Sequence, residues 1–146
     1  MRNELICSVL FLLVLGLAQG QTWGQSRAAY WDGEYGTAWA GGGEDTRDAL
    51  EEAGYEILDA AALKTWMDAR IADGGVSVVV FCRDAVPDTV AESMSATCTL
   101  RQYLDAGGKI VGYSDIPFYY LASAGASNTT WGDSGSPAVL GFNTAG

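Results

Sequence analysis

The chain has 146 residues, a formal net charge of −10 and no histidine. That length holds one domain, and the acidic balance makes nucleic acid and anionic membrane surfaces poor partners. The absence of histidine, with only three cysteines, argues against a zinc site.

Residues 1–20 read as a leader. Arg2 precedes an apolar run from Leu5 to Ala18, and Ala18-Gln19-Gly20 places small residues where a signal peptidase cuts. The run is shorter than the roughly 20 residues of a membrane span. Cleavage after Gly20 is expected to leave residues 21–146 as a single exported domain with no membrane attachment: periplasmic, cell-surface or extracellular. Cys7 leaves with the leader. Cys82 and Cys98 remain, and in an oxidising compartment they could close a ring of about 15 residues worth about 3 kcal/mol. The competing reading is a pair of buried apolar thiols.

Ser26–Trp31 is the first expected strand, followed by the turn-rich Asp32-Gly33-Glu34-Tyr35-Gly36. Gly41-Gly42-Gly43 precedes a helix with Asp45 as N-cap, Ala49, Leu50 and Ala53 as its apolar face, and Gly54 at its end. Tyr55–Asp59 is a short second strand. Leu63, Trp66, Met67, Arg70 and Ile71 then recur at helical spacing, and Gly74-Gly75 stops that helix. Val76 to Cys82 is nearly all apolar and β-branched, which predicts a central parallel strand buried on both faces. After Arg83-Asp84 a loop contains Pro87, and Thr89 to Glu92 has capping-box spacing for a short helix. A helix opening at Thr97 or Thr99 buries Leu100, Tyr103 and Leu104 and closes at Gly107-Gly108. Lys109–Tyr113 is the fourth strand. Ala122 to Thr130 reads as a polar loop, and Ser136-Pro137 as the N-cap and first residue of a last helix.

Alternating strands and helices predict an α/β fold. The expected form is a flavodoxin-like three-layer sandwich, with a parallel sheet in the order 2-1-3-4 and helices on both faces. The fifth strand usual in such domains has no counterpart in the pattern, so the domain is expected to be trimmed or to continue in a longer protein.

Four features bear on chemistry. Gly132-Asp133-Ser134-Gly135-Ser136-Pro137 nearly matches the box around a trypsin-like nucleophile, but that serine needs a histidine to take its proton. A glycine turn and a helix start explain it instead. Cys82, at the end of the central strand, has Arg83 as its only adjacent cation and no base to make it a nucleophile. Gly41 to Gly43 lack phosphate-loop spacing, and Glu44-Asp45 would repel a phosphate. The fourth feature is the convergence expected at the carboxyl edge of the sheet, where open α/β sheets bind ligands. Asp32, Glu34, Arg83, Asp84 and Asp115 would meet there, with Phe118, Tyr119 and Trp131 above them. Such carboxylates could accept hydrogen bonds from a small polar ligand or sugar hydroxyls, or hold Mg²⁺ or Ca²⁺. Aromatic faces could stack on a sugar ring, or simply cover the sheet.

The stretch Leu100-Arg101-Gln102-Tyr103-Leu104-Asp105-Ala106-Gly107-Gly108-Lys109-Ile110-Val111, followed by Ser114-Asp115-Ile116-Pro117-Phe118, resembles the class I glutamine-amidotransferase-like superfamily. It looks closest to the ThuA-like and related exported bacterial branches. The resemblance spans roughly Arg27 to Phe142 and implies a flavodoxin-like fold. Active members carry a cysteine on a glycine-flanked elbow after the central strand, with a later histidine and glutamate. Cys82 falls near that elbow, but Phe81 and Arg83 flank it and no histidine exists, so the glutaminase activity does not carry over. ThuA-like relatives imply a link to sugars.

The sequence therefore points to an exported, non-catalytic amidotransferase-like domain that binds a small polar ligand or glycan at Asp32, Glu34, Arg83, Asp84, Asp115, Phe118, Tyr119 and Trp131, without a cofactor. One alternative is a carbohydrate-active hydrolase or isomerase with two carboxylates as acid and base. Another is a structural module whose aromatic patch meets a protein partner or a second copy.

Overall fold

The computed structural model describes residues 26–36, 43–112 and 117–142. The expected leader, Gly41-Gly42, the segment from Tyr113 to Ile116 and with it Asp115 lie outside the described residues.

Four parallel strands form the main sheet: β1 (Ser26–Tyr30), β2 (Glu56–Leu58), β3 (Ser77–Phe81) and β5 (Lys109–Gly112). Their order is β2-β1-β3-β5, which is the 2-1-3-4 arrangement read from the sequence once the intervening strand β4 (Ala85–Pro87) is set aside. The register pairs Tyr30 with both Leu58 and Phe81, and Phe81 with Gly112. The chain steps from β1 to β2 in one direction and from β2 across to β3 in the other. Right-handed crossovers then place helix α1 (Gly43–Glu52) on one face, and α2 (Ala60–Asp73) with α3 (Thr99–Asp105) on the other. This is a flavodoxin-like α/β sandwich.

The α2–α3 face holds the core. Leu63 and Met67 of α2 and Leu100 and Tyr103 of α3 are fully buried against Ala28, Tyr30, Val79 and Phe81. The rings of Trp66 and Tyr103 meet at 5.8 Å. Helix α2 forms where its apolar stripe predicts. Asp59 caps it by accepting from the Ala62 amide at 2.7 Å, and Gly74 ends it in the left-handed conformation that only glycine adopts without cost.

The opposite face corrects the expectation of a strand buried on both sides. Val78 and Val80 are only half-buried, and Val76 and Val111 are exposed. The reason is α1, which packs over β1 and β2 rather than over β3 and has no buried residue. Ala49 and Ala53, expected on its apolar face, are exposed, and Leu50 is half-buried. The helix also begins at Gly43, so Asp45 lies in its first turn and is not the cap.

The segments read as loops contain a second sheet. Strand β4 (Ala85–Pro87) runs parallel to β6 (Tyr120–Ala122), which pairs antiparallel with β7 (Thr129–Thr130). Pro87 suggested a loop, yet β4 is an edge strand of this sheet, where a residue without an N–H is tolerated. No fifth strand joins the main sheet among the described residues. The short helix expected at Thr89 is absent. The Thr89 hydroxyl donates instead to the Ala60 carbonyl at 2.7 Å, and the segment stays in turns. The near-protease box forms a 3-10 turn (Gly132–Ser134) and then α4 (Gly135–Leu140). Ser136 is therefore buried inside the helix and not its N-cap.

Candidate functional site

A cavity of about 530 Å³ opens at the carboxyl ends of β3 and β5, within the usual range for small-ligand pockets. Phe81, Ile110 and Gly112 bring the sheet to it, and Arg83, Asp84 and Val86 follow from the end of β3 into β4. Arg101, Leu104 and Asp105 enter from α3. Pro117, Phe118, Leu140 and Phe142 complete the wall. The lining is mostly aliphatic and aromatic, with four charged side chains.

Helix α3 is tied down at three points. Glu92 replaces the missing side-chain cap at Cys98, because its carboxylate accepts from the Thr99 amide at 2.9 Å and from the Thr99 hydroxyl. Partial burial works to raise the Glu92 pKa, but the Thr99 hydrogen bonds, its own amide and Lys64 outweigh that and hold it below the ordinary carboxylate value. In the middle of the helix, Tyr103 is completely buried. Its hydroxyl accepts from Ser77 at 3.1 Å and contacts the Lys109 backbone at 3.3 Å. Gly108 leaves room for this ring, since a Cβ there would run into it. From the first turn, Arg101 donates to Asp105 at 2.9 Å and to the Val139 carbonyl at 3.2 Å, which fastens α3 to α4. Arg101 is thus committed to partners within the wall.

Arg83 is held differently. Its guanidinium lies 5.0 Å over the Trp31 ring, and Arg47 stacks on the same ring at 4.3 Å. Arg47 also pairs with Asp48 at 2.6 Å. For Arg83 no carboxylate lies within ion-pair distance among the described residues, and its buried Nε has no hydrogen-bond acceptor. Beside it, Tyr30 is fully buried with an unpartnered hydroxyl. Burial pushes the Tyr30 pKa far up, Asp32 and Tyr35 add to this, and Arg83 opposes it. Phe118 reaches the wall with φ of 64°, the only non-glycine residue in the left-handed region among the described residues. Such a conformation costs on the order of 1–3 kcal/mol and persists only where packing enforces it. Here the Phe118 carbonyl sits against Gly135, which has no space for a Cβ.

The structure brings only some of the sequence-derived site together. Arg83, Asp84 and Phe118 line the cavity. Asp32 does not, because its carboxylate is used on backbone: it accepts from the Glu34 amide at 2.9 Å and from the Ala60 amide at 3.0 Å, anchoring the start of α2. Glu34 is exposed, and its carbonyl accepts from the Gly125 amide at 2.8 Å. Tyr119 turns edge-on to Tyr120 at 4.8 Å, and its carbonyl takes the amides of Trp131 and Gly132. Trp131 packs against the core. These two rings serve the second sheet and the turn before α4, not the cavity. Asp115 lies outside the described residues. Among those that are described, no group of three or more acidic or thiol side chains is gathered to hold a metal ion.

Cys82 and Cys98 are both free and buried, which matches the reading as buried apolar thiols and not the possible bridge. Burial raises both thiol pKa values, with Arg47 partly offsetting this at Cys82. Sequence reasoning missed Arg101, Leu104, Asp105, Leu140 and Phe142. The first three share one side of α3 at i, i+3 and i+4, a legible signal. The last two come to the site only through tertiary packing.

These features define a doubly wound α/β domain with an amphipathic pocket at the carboxyl edge of its sheet. The chain belongs to the MJECL34 family, whose model matches residues 26–144. No curated protein matches the chain, and no solved structure does.

Proposed function

We propose that this is an exported, non-catalytic amidotransferase-like domain that binds a small ligand with an apolar body and one polar end. The observation that carries this is the cavity itself: an apolar concavity at the carboxyl edge of the sheet, with Arg83 and Asp84 converging on one side. The non-catalytic reading is supported by Cys82, a buried thiol of raised pKa without a base to activate it. The acids offer no obvious acid–base pair, since Asp32 is bound to backbone amides and Asp105 to Arg101. A glycan is the weaker ligand class, because Tyr119 and Trp131, the rings expected to stack on sugar, face elsewhere. Export rests on the leader-like residues 1–20.

The test is saturation-transfer NMR of the full chain against small aryl and alkyl acids, their amides, and di- and trisaccharides. Ring-bearing compounds are expected to bind, and Leu104→Trp or Ile110→Trp, which fill the cavity from two different elements, should abolish the signal. Saccharide binding that survives both substitutions sinks the proposal.

A further inference from the structure

Within that pocket, and resting on the reading of it as a binding site, we infer that the ligand is a monocarboxylate with a compact apolar body, its carboxylate received by Arg83. Two guanidiniums line the cavity, and among the described residues only one of them lacks a carboxylate partner. Arg101 is engaged by Asp105 and by the Val139 carbonyl. Arg83 has a buried Nε without an acceptor and no carboxylate partner among the described residues. Its position is set in advance, because its guanidinium lies 5.0 Å over the Trp31 ring, so less side-chain entropy remains to be lost on binding.

The neighbours narrow the charge of the ligand. Asp84 is only 8 % exposed and, with Asp105, lines the same cavity. A tetrahedral, doubly charged phosphate would bring two charges to a wall where Arg101 already faces Asp105, whereas a carboxylate carries one delocalised charge in the planar shape that a guanidinium fork matches. Phe81, Phe118, Leu104 and Ile110 then supply apolar and aromatic surface for the rest of the molecule. A sugar would leave most of that surface against hydroxyls, and a simple inorganic anion would leave it empty.

The probes are 3-phenylpropionate and its neutral isostere 3-phenylpropionamide, titrated into the full chain by calorimetry at fixed ionic strength. The acid is expected to bind at least about tenfold more tightly, as one charge-assisted hydrogen-bond pair in a partly buried site gives. Arg83→Gln should remove that preference, and Arg83→Lys should retain part of it. An amide that binds as well as the acid, or an acid preference that survives Arg83→Gln, overturns the carboxylate assignment and leaves the pocket standing. Binding of neither probe, or binding indifferent to Leu104→Trp, overturns the pocket reading as well.

Discussion

Tyr103 joins α3, β3 and β5 at one buried hydroxyl, and its removal can be worked through. In Tyr103→Phe the ring still fills its space, so no cavity term arises. What is lost is the acceptor for Ser77 Oγ at 3.1 Å and the contacts with the Lys109 backbone at 3.3 Å. Ser77 is 2 % exposed, so its hydroxyl is left without an acceptor in a place water does not reach. An orphaned buried hydroxyl costs about 1–3 kcal/mol, against about 1 kcal/mol for a merely deleted hydrogen bond. We expect about 2 kcal/mol for Tyr103→Phe, seen as a drop of about 1 M in the urea midpoint with an unchanged slope. Ser77→Ala should cost about 1 kcal/mol, because Tyr103 keeps Lys109. In the double variant nothing polar is stranded on β3, so the total should fall short of the sum of the singles by about 1 kcal/mol. Strict additivity of the two changes would refute the account of a shared hydroxyl.

Two further outcomes follow from the pKa shifts. Glu92 has a folded-state pKa below its unfolded value, so its contribution is present above the unfolded carboxylate range near pH 4.3 and is lost as the pH falls through the lower folded value. Glu92→Gln should therefore destabilise by about 0.5 kcal/mol near neutral pH, a capping contribution reduced by solvent screening of an exposed side chain, and the gap should narrow on acidification in urea melts from pH 7 to pH 3; a gap that does not change with pH contradicts the capping role. Cys82 and Cys98, buried and raised in pKa, should react with a thiol reagent at neutral pH only after denaturation. A linked Cys82–Cys98 peptide in an unreduced digest would count against their separation as free thiols.

The main sheet was legible because its signals are local and strong. The stripe of Leu63, Met67 and Ile71 sets α2, and the valines after Gly74-Gly75 set β3. The alternation of elements then dictates the order. The second sheet was not legible, because β4, β6 and β7 have two or three residues each and carry no periodicity. Burial of β3 on both faces was over-read because an apolar run reports what a strand can bury, not whether a helix arrives to cover it. The site divides in the same way. Arg83 and Asp84 follow from the end of a central strand. Phe142 and Leu140 reach the same cavity only because Arg101 and Gly135 dock α4 against α3 and Phe118.

The position of the cavity has its own logic. In a 2-1-3-4 sheet the chain reverses direction between β1 and β3, and the crevice outside that point is where such folds usually bind a ligand. Here Trp31 follows the end of β1 with the Arg47 and Arg83 guanidiniums both over its ring, and the first residue of α1 sits so close to the Cys82 carbonyl that Gly43 has no room for a Cβ. A cavity opens one strand over, at the carboxyl ends of β3 and β5, where no further strand of the main sheet follows among the described residues. Arg83 belongs to both places: its guanidinium lies over Trp31, and it lines the cavity with a buried Nε that has no acceptor among the described residues.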